Sequence, residues 1–242
     1  RLNQFPDLDF VVPVNAIQLT KYLSLKVKGT FINLDEERDI ARLVVNGWTL
    51  DFAGQVGEKL EDDLWRRDFR INAIALKLKE NPEIFDPTGG MDDLKSKKIV
   101  AISEKNLIDD PLRMLRGFRL MCELNFDLDE TTKRFIRTNV QRLNNVAAER
   151  IKTEILKIVN SEWHSSVWRT YLELKLLQNW NEEKIPCIEM KRKESVAKEL
   201  LDAEPLAKLM ILLSDNGLSR LTFSKSQIKR CKYLRFWVNK IN

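Results

Sequence analysis

The hydrophobic pattern of this chain changes period once, and that change limits the folds open to it. Up to about Phe85, short runs of branched and aromatic residues alternate with helix-like segments. The pattern predicts a strand over Asp9 to Val12, a helix around Ala16 to Leu25, and strands near Thr30 to Asn33, Ala41 to Val45 and Trp48 to Ala53. A helix through Asp62 to Ala73 follows. Asp86-Pro87-Thr88-Gly89-Gly90 breaks the pattern, because proline fixes one dihedral and paired glycines permit turns that other residues resist. Beyond Ser103 strand signals nearly vanish. Apolar residues there recur at helical spacing through Leu112 to Leu124, Thr131 to Leu143, Ala147 to Val159 and Trp168 to Leu177. The expected class is α+β, a mixed-sheet head followed by an all-helical remainder.

Composition narrows the chemistry. A chain of 242 residues with 43% apolar and 32% charged side chains can bury a core and fits a globular profile. No apolar run is long enough to cross a bilayer, and the first residues lack a basic region followed by an apolar stretch, so a cytoplasmic location is expected. Cys122, Cys187 and Cys231 lack paired spacing, and His164 is the only histidine. That argues against a zinc site or a Cys-His catalytic pair and for buried, reduced thiols. The net charge of +5 is concentrated at the carboxyl end, where the segment from Cys187 onward holds 12 Lys and Arg against 6 Asp and Glu. Lys191-Arg192-Lys193, and Lys225 through Arg235 with Tyr233, Phe236 and Trp237 interleaved, could follow an RNA backbone. A solvated helix face with its aromatics in the core explains the same residues.

Three acidic motifs carry the chemistry. In Pro6-Asp7-Leu8-Asp9-Phe10-Val11-Val12, residues two apart share a strand face, so Asp7 and Asp9 project together while Leu8, Phe10 and Val12 face the other way. Paired carboxylates repel unless a cation sits between them, and hard oxygen ligands suit Mg²⁺; an edge strand showing acids to water is the plainer alternative. Asp62 to Ala73 crowds acids and arginines against Phe69, Ile71 and Ala73, as a site for a charged ligand or an ion-paired helix would. In Asp109-Asp110-Pro111-Leu112-Arg113-Met114-Leu115-Arg116, Asp110 before Pro111 signals a helix start, and Asp110, Arg113 and Arg116 recur at spacings of three.

Taken in order, these motifs resemble a known family. Asp7-x-Asp9, Arg66-Arg67-Asp68-Phe69-x-x-Asn72-Ala73, Asp86-Pro87-x-Gly89-Gly90-x-x-Asp93-Leu94, Asp109-Asp110-x-x-Arg113 and Glu149-Arg150-x-x-x-Glu154 are similar to the motif set of class II CCA-adding enzymes and bacterial poly(A) polymerases. The resemblance covers about residues 5 to 160. It implies a nucleotidyltransferase head over 1–95, with its amino-terminal part missing from this sequence, a helical neck over 96–160 that selects the base, and a helical body and partial tail over 161–242 that binds tRNA. The implied activity is template-independent addition of C, A or both from CTP and ATP to a tRNA 3′ end, in a magnesium-dependent two-metal phosphoryl transfer. A catalytically inactive RNA-binding protein on the same scaffold is the alternative from another class.

Carried over by position, the resemblance makes Asp7 and Asp9 the Mg²⁺ ligands, with Asp51 the candidate third carboxylate. Arg66, Arg67, Asp68 and Asn72 fall in the motif for ribose and phosphate, and Asp109, Asp110, Arg113 and Arg116 in the one for the base. Cytosine and adenine each present an amino donor beside a ring-nitrogen acceptor. A carboxylate and a guanidinium can pair with that edge, whereas uracil and guanine reverse it. Asp109 stands where the family usually has Glu. The connection from Phe52 to Asp63 holds only one basic residue, Lys59. Members that build the whole CCA end have a longer flexible loop there, so the shortness favours CC addition, with A-adding, CCA-adding and poly(A)-adding relatives sharing every motif. Glu149, Arg150 and Glu154 are expected to brace the neck rather than to act on substrate.

Overall fold

The structure, a computed structural model, describes residues 7–163, 165–181 and 204–241. Its residues fall into two compact units, Arg1–Arg66 and Arg67–Asn242.

In the first unit β1 (Asp7–Val12), α1 (Ala16–Val27), β2 (Thr30–Asp35), β3 (Ile40–Val45), β4 (Trp48–Gly54) and α2 (Leu60–Trp65) follow in order. The strands form one sheet in the order β1-β4-β3-β2, with β1 parallel to β4 and the other pairs antiparallel. Asn46 and Gly47, at φ 50° and 81°, turn β3 into β4. Positive φ at both central residues matches the twist of a tight hairpin, and Asn-Gly tolerates it best. Apolar residues alternate along β3 and β4, so one face of the sheet closes on α1 through Ala16, Leu43 and Phe52, with Phe10, Leu19, Leu23 and Leu50 around them. Phe10 and Phe52 stack at 4.9 Å between ring centroids. The start of α1 is fixed by two side chains. Asn15 accepts the Gln18 amide at 2.8 Å, and Asp39 accepts the Ala16 and Ile17 amides at 2.7 and 3.0 Å.

The second unit opens with Phe69 extended and a 3-10 turn at Arg70–Asn72. The hairpin β5 (Ala75–Lys77) and β6 (Glu83–Phe85) comes next, then α3 (Gly90–Ser96) and β7 (Lys98–Ile99). Helices α4 (Glu104–Asp109) and α5 (Leu112–Leu124) precede a short β8 (Asp127–Leu128), which pairs parallel to β7. Then come α6 (Glu130–Asn139), α7 (Ala148–Asn160), α8 (Ser165–Leu174), α9 (Glu204–Leu212), α10 (Asp215–Arg220) and α11 (Lys225–Ile241). Its core centres on α5, whose Leu112, Met114, Leu115, Phe118 and Met121 are buried with Ile151, Ile155 and Ile158 of α7. No helix among the described residues is long and apolar enough to cross a membrane.

The helix expected through Asp62 to Ala73 is a correction. It ends at Trp65, because tertiary pairing draws the next residues out of the helix. Arg70 donates its amide to the Val100 carbonyl at 3.0 Å, Ile102 donates to that of Asp68 at 3.2 Å, and Phe69 bridges to Ala101. The Phe69 ring is fully buried. It lies so close to Gly117 that a Cβ there would stand 2.6 Å from the ring, so α5 needs a bare backbone at that turn. Phe69, Ile99 and Ala101 share a core with α5, and all three lie in the second compact unit, which begins at Arg67.

Candidate active site

Within the first unit, β1 presents Asp7 and Asp9 exposed on one face. Asp7 lies in register with Thr49, and Asp9 with Asp51 of β4. Asp51 in turn lies opposite Arg42 of β3. Directly paired strand residues share a face, so three carboxylates and one guanidinium stand together. Arg42 forks onto Asp51, Nε to Oδ1 at 2.7 Å and Nη2 to Oδ2 at 2.8 Å. That bond comes first in raising the Arg42 pKa above its ordinary value; slight burial opposes it, and the charges of Asp51, Asp7 and Asp9 add to it. Among the described residues no three His, Cys, Asp or Glu side chains converge as an ion-binding group. Mg²⁺ takes one or two carboxylates and completes its shell with water and phosphate, and the exposed Asp7 and Asp9 offer oxygen donors of that kind. Asp51 stands beside them with both oxygens engaged by Arg42.

The connection from β4 to α2 is tied down. Gln55 donates its amide to the Val12 carbonyl at 2.8 Å, and Lys59 donates its amide to Asp62 at 2.9 Å. Asp63, only 2% exposed, accepts the Val56 amide and the guanidinium of Arg66 at 2.7 Å. An acid this far from water requires such partners. Arg66 therefore begins its motif as the half-exposed partner of a buried carboxylate.

In the second unit the motif continues as a hydrogen-bonded knot. Arg67 donates to the Asn72 carbonyl at 3.0 Å, and the Asn106 side-chain amide donates to the Arg67 carbonyl at 2.7 Å. Asp68, 5% exposed, accepts from the Phe69 amide, the Asn72 side chain and Arg116 at 2.8, 2.9 and 2.8 Å. Burial works against its charge, but Arg116 and these hydrogen bonds outweigh burial and hold the carboxyl below its ordinary pKa. Asp68 thus fixes Asn72 and Arg116 rather than lying open to solvent.

Asp109 and Asp110 flank the junction of α4 and α5. Asp109 is exposed and pairs with Lys105 at 2.5 Å. Asp110 is extended, and its Oδ1 accepts the Leu112 amide at the start of α5. Its Oδ2 accepts from Arg150 of α7 at 2.8 Å. Arg113 donates to the Asn106 carbonyl at 3.0 Å. Glu154, 4% exposed, accepts from Arg119 of α5 at 2.8 Å. Glu154 and Arg119 thus join α5 to α7, while Arg150 of the same helix reaches the acid expected to read the base. Three residues escaped the sequence reading: Arg42, Asn106, and Arg150 as the partner of Asp110. Only a charged residue inside an otherwise apolar strand hinted at the first. Nothing in the spacing linked Asn106 or Arg150 to residues 39 and 40 positions away.

The carboxyl-terminal helix resolves an alternative. On α11, Tyr233, Phe236 and Trp237 are exposed by 56, 51 and 58%, so these aromatics are not in the core. Lys229 lies over the Tyr233 ring and Lys240 over that of Phe236. Arg235 is a correction: it is buried and bonds to Asp215 and to the Met210 and Leu213 carbonyls, so it braces the helix instead of facing a ligand. Cys122 and Cys231 are free and buried, as expected. His164, Cys187 and Lys191-Arg192-Lys193 lie outside the described residues.

Sequence comparison places this geometry in context. Residues 51–100 match the model of the Poly A polymerase head domain, and residues 125–184 match that of the probable RNA and SrmB-binding site of polymerase A. A CC-adding tRNA nucleotidyltransferase of Synechocystis sp. is 39% identical over 173 residues, covering 70% of this chain and 41% of the relative. An A-adding tRNA nucleotidyltransferase of Deinococcus radiodurans is 38% identical over 160 residues, 64% of this chain and 36% of the relative. The chain thus spans about two fifths of the length of these curated relatives. A solved structure of a tRNA-processing enzyme with CTP superposes with a TM-score of 0.75 at 26% identity, covering 97% of this chain and 71% of that one. With its motifs in order, a matching head domain and a matching fold, the chain carries the Poly A polymerase head domain over residues 51–100 and is similar beyond it to CC- and A-adding tRNA nucleotidyltransferases.

Proposed function

We propose that this chain carries the catalytic part of a tRNA 3′-end nucleotidyltransferase that adds C from CTP without a nucleic-acid template. The observation that carries this reading is the exposed Asp7 and Asp9 pair on one strand face, in register with the Asp51 strand. Asp7 and Asp9 would hold Mg²⁺, which supplies charge neutralisation for the triphosphate and activation of the attacking 3′-hydroxyl. Phosphoryl transfer asks for positioning and charge compensation more than covalent chemistry, and the arginines of the Arg66-Arg67 motif can grip phosphate or ribose through planar forks.

Base choice falls to Asp110 and Arg113. Asp110 accepts from the exocyclic amino group of the incoming base while Arg113 donates to the ring nitrogen, so a protein edge replaces a template base. UTP and GTP offer the opposite pattern and leave both side chains unpaired, a loss of several kcal/mol. Arg150 bears on this step as the group that holds Asp110. Preference for CC addition is supported by the short, hydrogen-bonded connection from β4 to α2, in which Val56 and Lys59 are anchored to Asp63 and Asp62. Exposed Lys229, Lys232 and Lys240 beside Tyr233, Phe236 and Trp237 offer charge for an RNA backbone and flat faces for its bases.

One gel tests the reading. Radiolabelled CTP or ATP is offered to tRNA transcripts that end at the discriminator base, at CC and at CCA. The expected products are two added C residues on the first and none on the others. Label from ATP on the CC-ended substrate would reassign the chain to A or CCA addition, and no incorporation with intact tRNA binding would leave an inactive RNA-binding scaffold.

A further inference from the structure

Arg42 puts a positive charge on the face where Asp7 and Asp9 would hold a divalent ion. It stands on the face that carries Asp7, Asp9 and Asp51, and it binds both oxygens of the last at 2.7 and 2.8 Å. The pair is not an incidental surface contact. The Arg42 side chain is 36% exposed and that of Asp51 22%, and direct register across β3 and β4 holds both Cα atoms in place. Three carboxylates alone would give this face a charge of −3; Arg42 brings it to −2, which a single dication balances.

We propose that Arg42 is a charge-setting and positioning residue of the metal face: by forking onto Asp51 it leaves Asp7 and Asp9 as the direct ligands and keeps the divalent ion weakly held and exchangeable. This rests on the proposed role of Asp7 and Asp9. A guanidinium and a dication compete for the same carboxylate, and like charges a few ångströms apart on a half-exposed surface repel. While Arg42 is in place, both Asp51 oxygens are engaged by the guanidinium, and Asp51 would not serve as a ligand. Without it, Asp51 turns its oxygens to the ion as a third ligand.

The prediction runs against the usual effect of damaging a site. Removing the charge in Arg42→Gln tightens divalent binding by about tenfold, as loss of the repulsion between two like charges a few ångströms apart in water implies. Arg42→Lys, which keeps a cation paired with Asp51, stays near the parent value. The probe is Mn²⁺, its free concentration read by electron paramagnetic resonance during titration of the folded protein and each variant, with circular dichroism melts confirming that each is folded. Unchanged or weaker Mn²⁺ binding by Arg42→Gln overturns the proposal, and so does Arg42→Lys behaving like Arg42→Gln. Asp9→Asn separates this failure from that of the underlying reading. If Asp9→Asn leaves Mn²⁺ binding intact, Asp7 and Asp9 are not the metal ligands. If it abolishes binding while Arg42→Gln changes nothing, only the role of Arg42 falls.

Discussion

The acids of the first unit's sheet and those of the second unit's helices meet opposite electrostatic conditions. In the helical region, among the described residues, the buried carboxylates Asp68 and Glu154 have Arg116 and Arg119 as their cations, and the half-buried Asp110 has Arg150. On the sheet, Asp7, Asp9 and Asp51 share one arginine. The three pairs of the helical region are charge-balanced as they stand and serve to hold side chains still. The sheet face is short of positive charge, and a face left that way suits a ligand that brings its own. On the proposed function, the paired acids would organise the base-reading end, and the under-compensated acids would receive the metal and the triphosphate.

The sharpest way to break this contrast is to neutralise one acid on each side. Asp9→Asn is expected to lower nucleotide incorporation by about a thousandfold, as loss of a charge-stabilising group in a phosphoryl-transfer site does. Its melting temperature should stay equal or rise slightly, because the substitution relieves repulsion, and tRNA affinity should be nearly unchanged. Full turnover would remove Asp9 from the mechanism. Asp68→Ala should do the reverse and cost about 2–3 kcal/mol of stability in urea unfolding, since it strands buried donors.

The pH dependence separates the two sides further. The fold holds Asp68 ionised below its ordinary pKa, so the contribution of Asp68 to stability is complete above the unfolded-state value of 3.8 and is lost as pH falls through the lower folded value. Unfolding curves of the parent and Asp68→Ala should therefore converge on acidification below that point. Curves that stay parallel would show that the charge of Asp68 contributes nothing.

A smaller effect probes the link between α7 and base choice. Arg150→Ala frees Asp110 from its orienting partner and should reduce discrimination of CTP against UTP by about tenfold, as loss of one orienting hydrogen bond would. The measurement is kcat/KM for each nucleotide, and an unchanged ratio would make Arg150 a brace alone. Smallest is the effect of Lys229→Ala with Lys232→Ala on α11. It should weaken tRNA binding at all sequences alike and reduce the slope of log affinity against log salt by about 1 to 2. An unaltered slope would leave those lysines off the RNA path.

Local periodicity was a sound guide wherever neighbours in sequence decide the structure. The four strands of the sheet, α1, α5 and α7 lie within a few residues of their expected places, since alternation and helical spacing report which face is buried. Asp7 and Asp9 on one face follow from the geometry of a strand alone. The pattern misled at Asp62 to Ala73, where propensity favoured a helix but pairing of Phe69 with Ala101, thirty-two residues away, pulled the chain extended. It gave no warning of Arg235, whose burial depends on carbonyls of other helices.

The sequence by itself determined the class of fold, the order of the motifs and the two acids of β1, because each is written in residues close along the chain. Only the tertiary structure decided which cation each acid receives: Arg42 for Asp51, Arg116 for Asp68 and Arg150 for Asp110. Those pairings join strands and helices 9, 48 and 40 residues apart, and an ion pair is set by distance in space, which spacing along a chain does not encode until the core has folded.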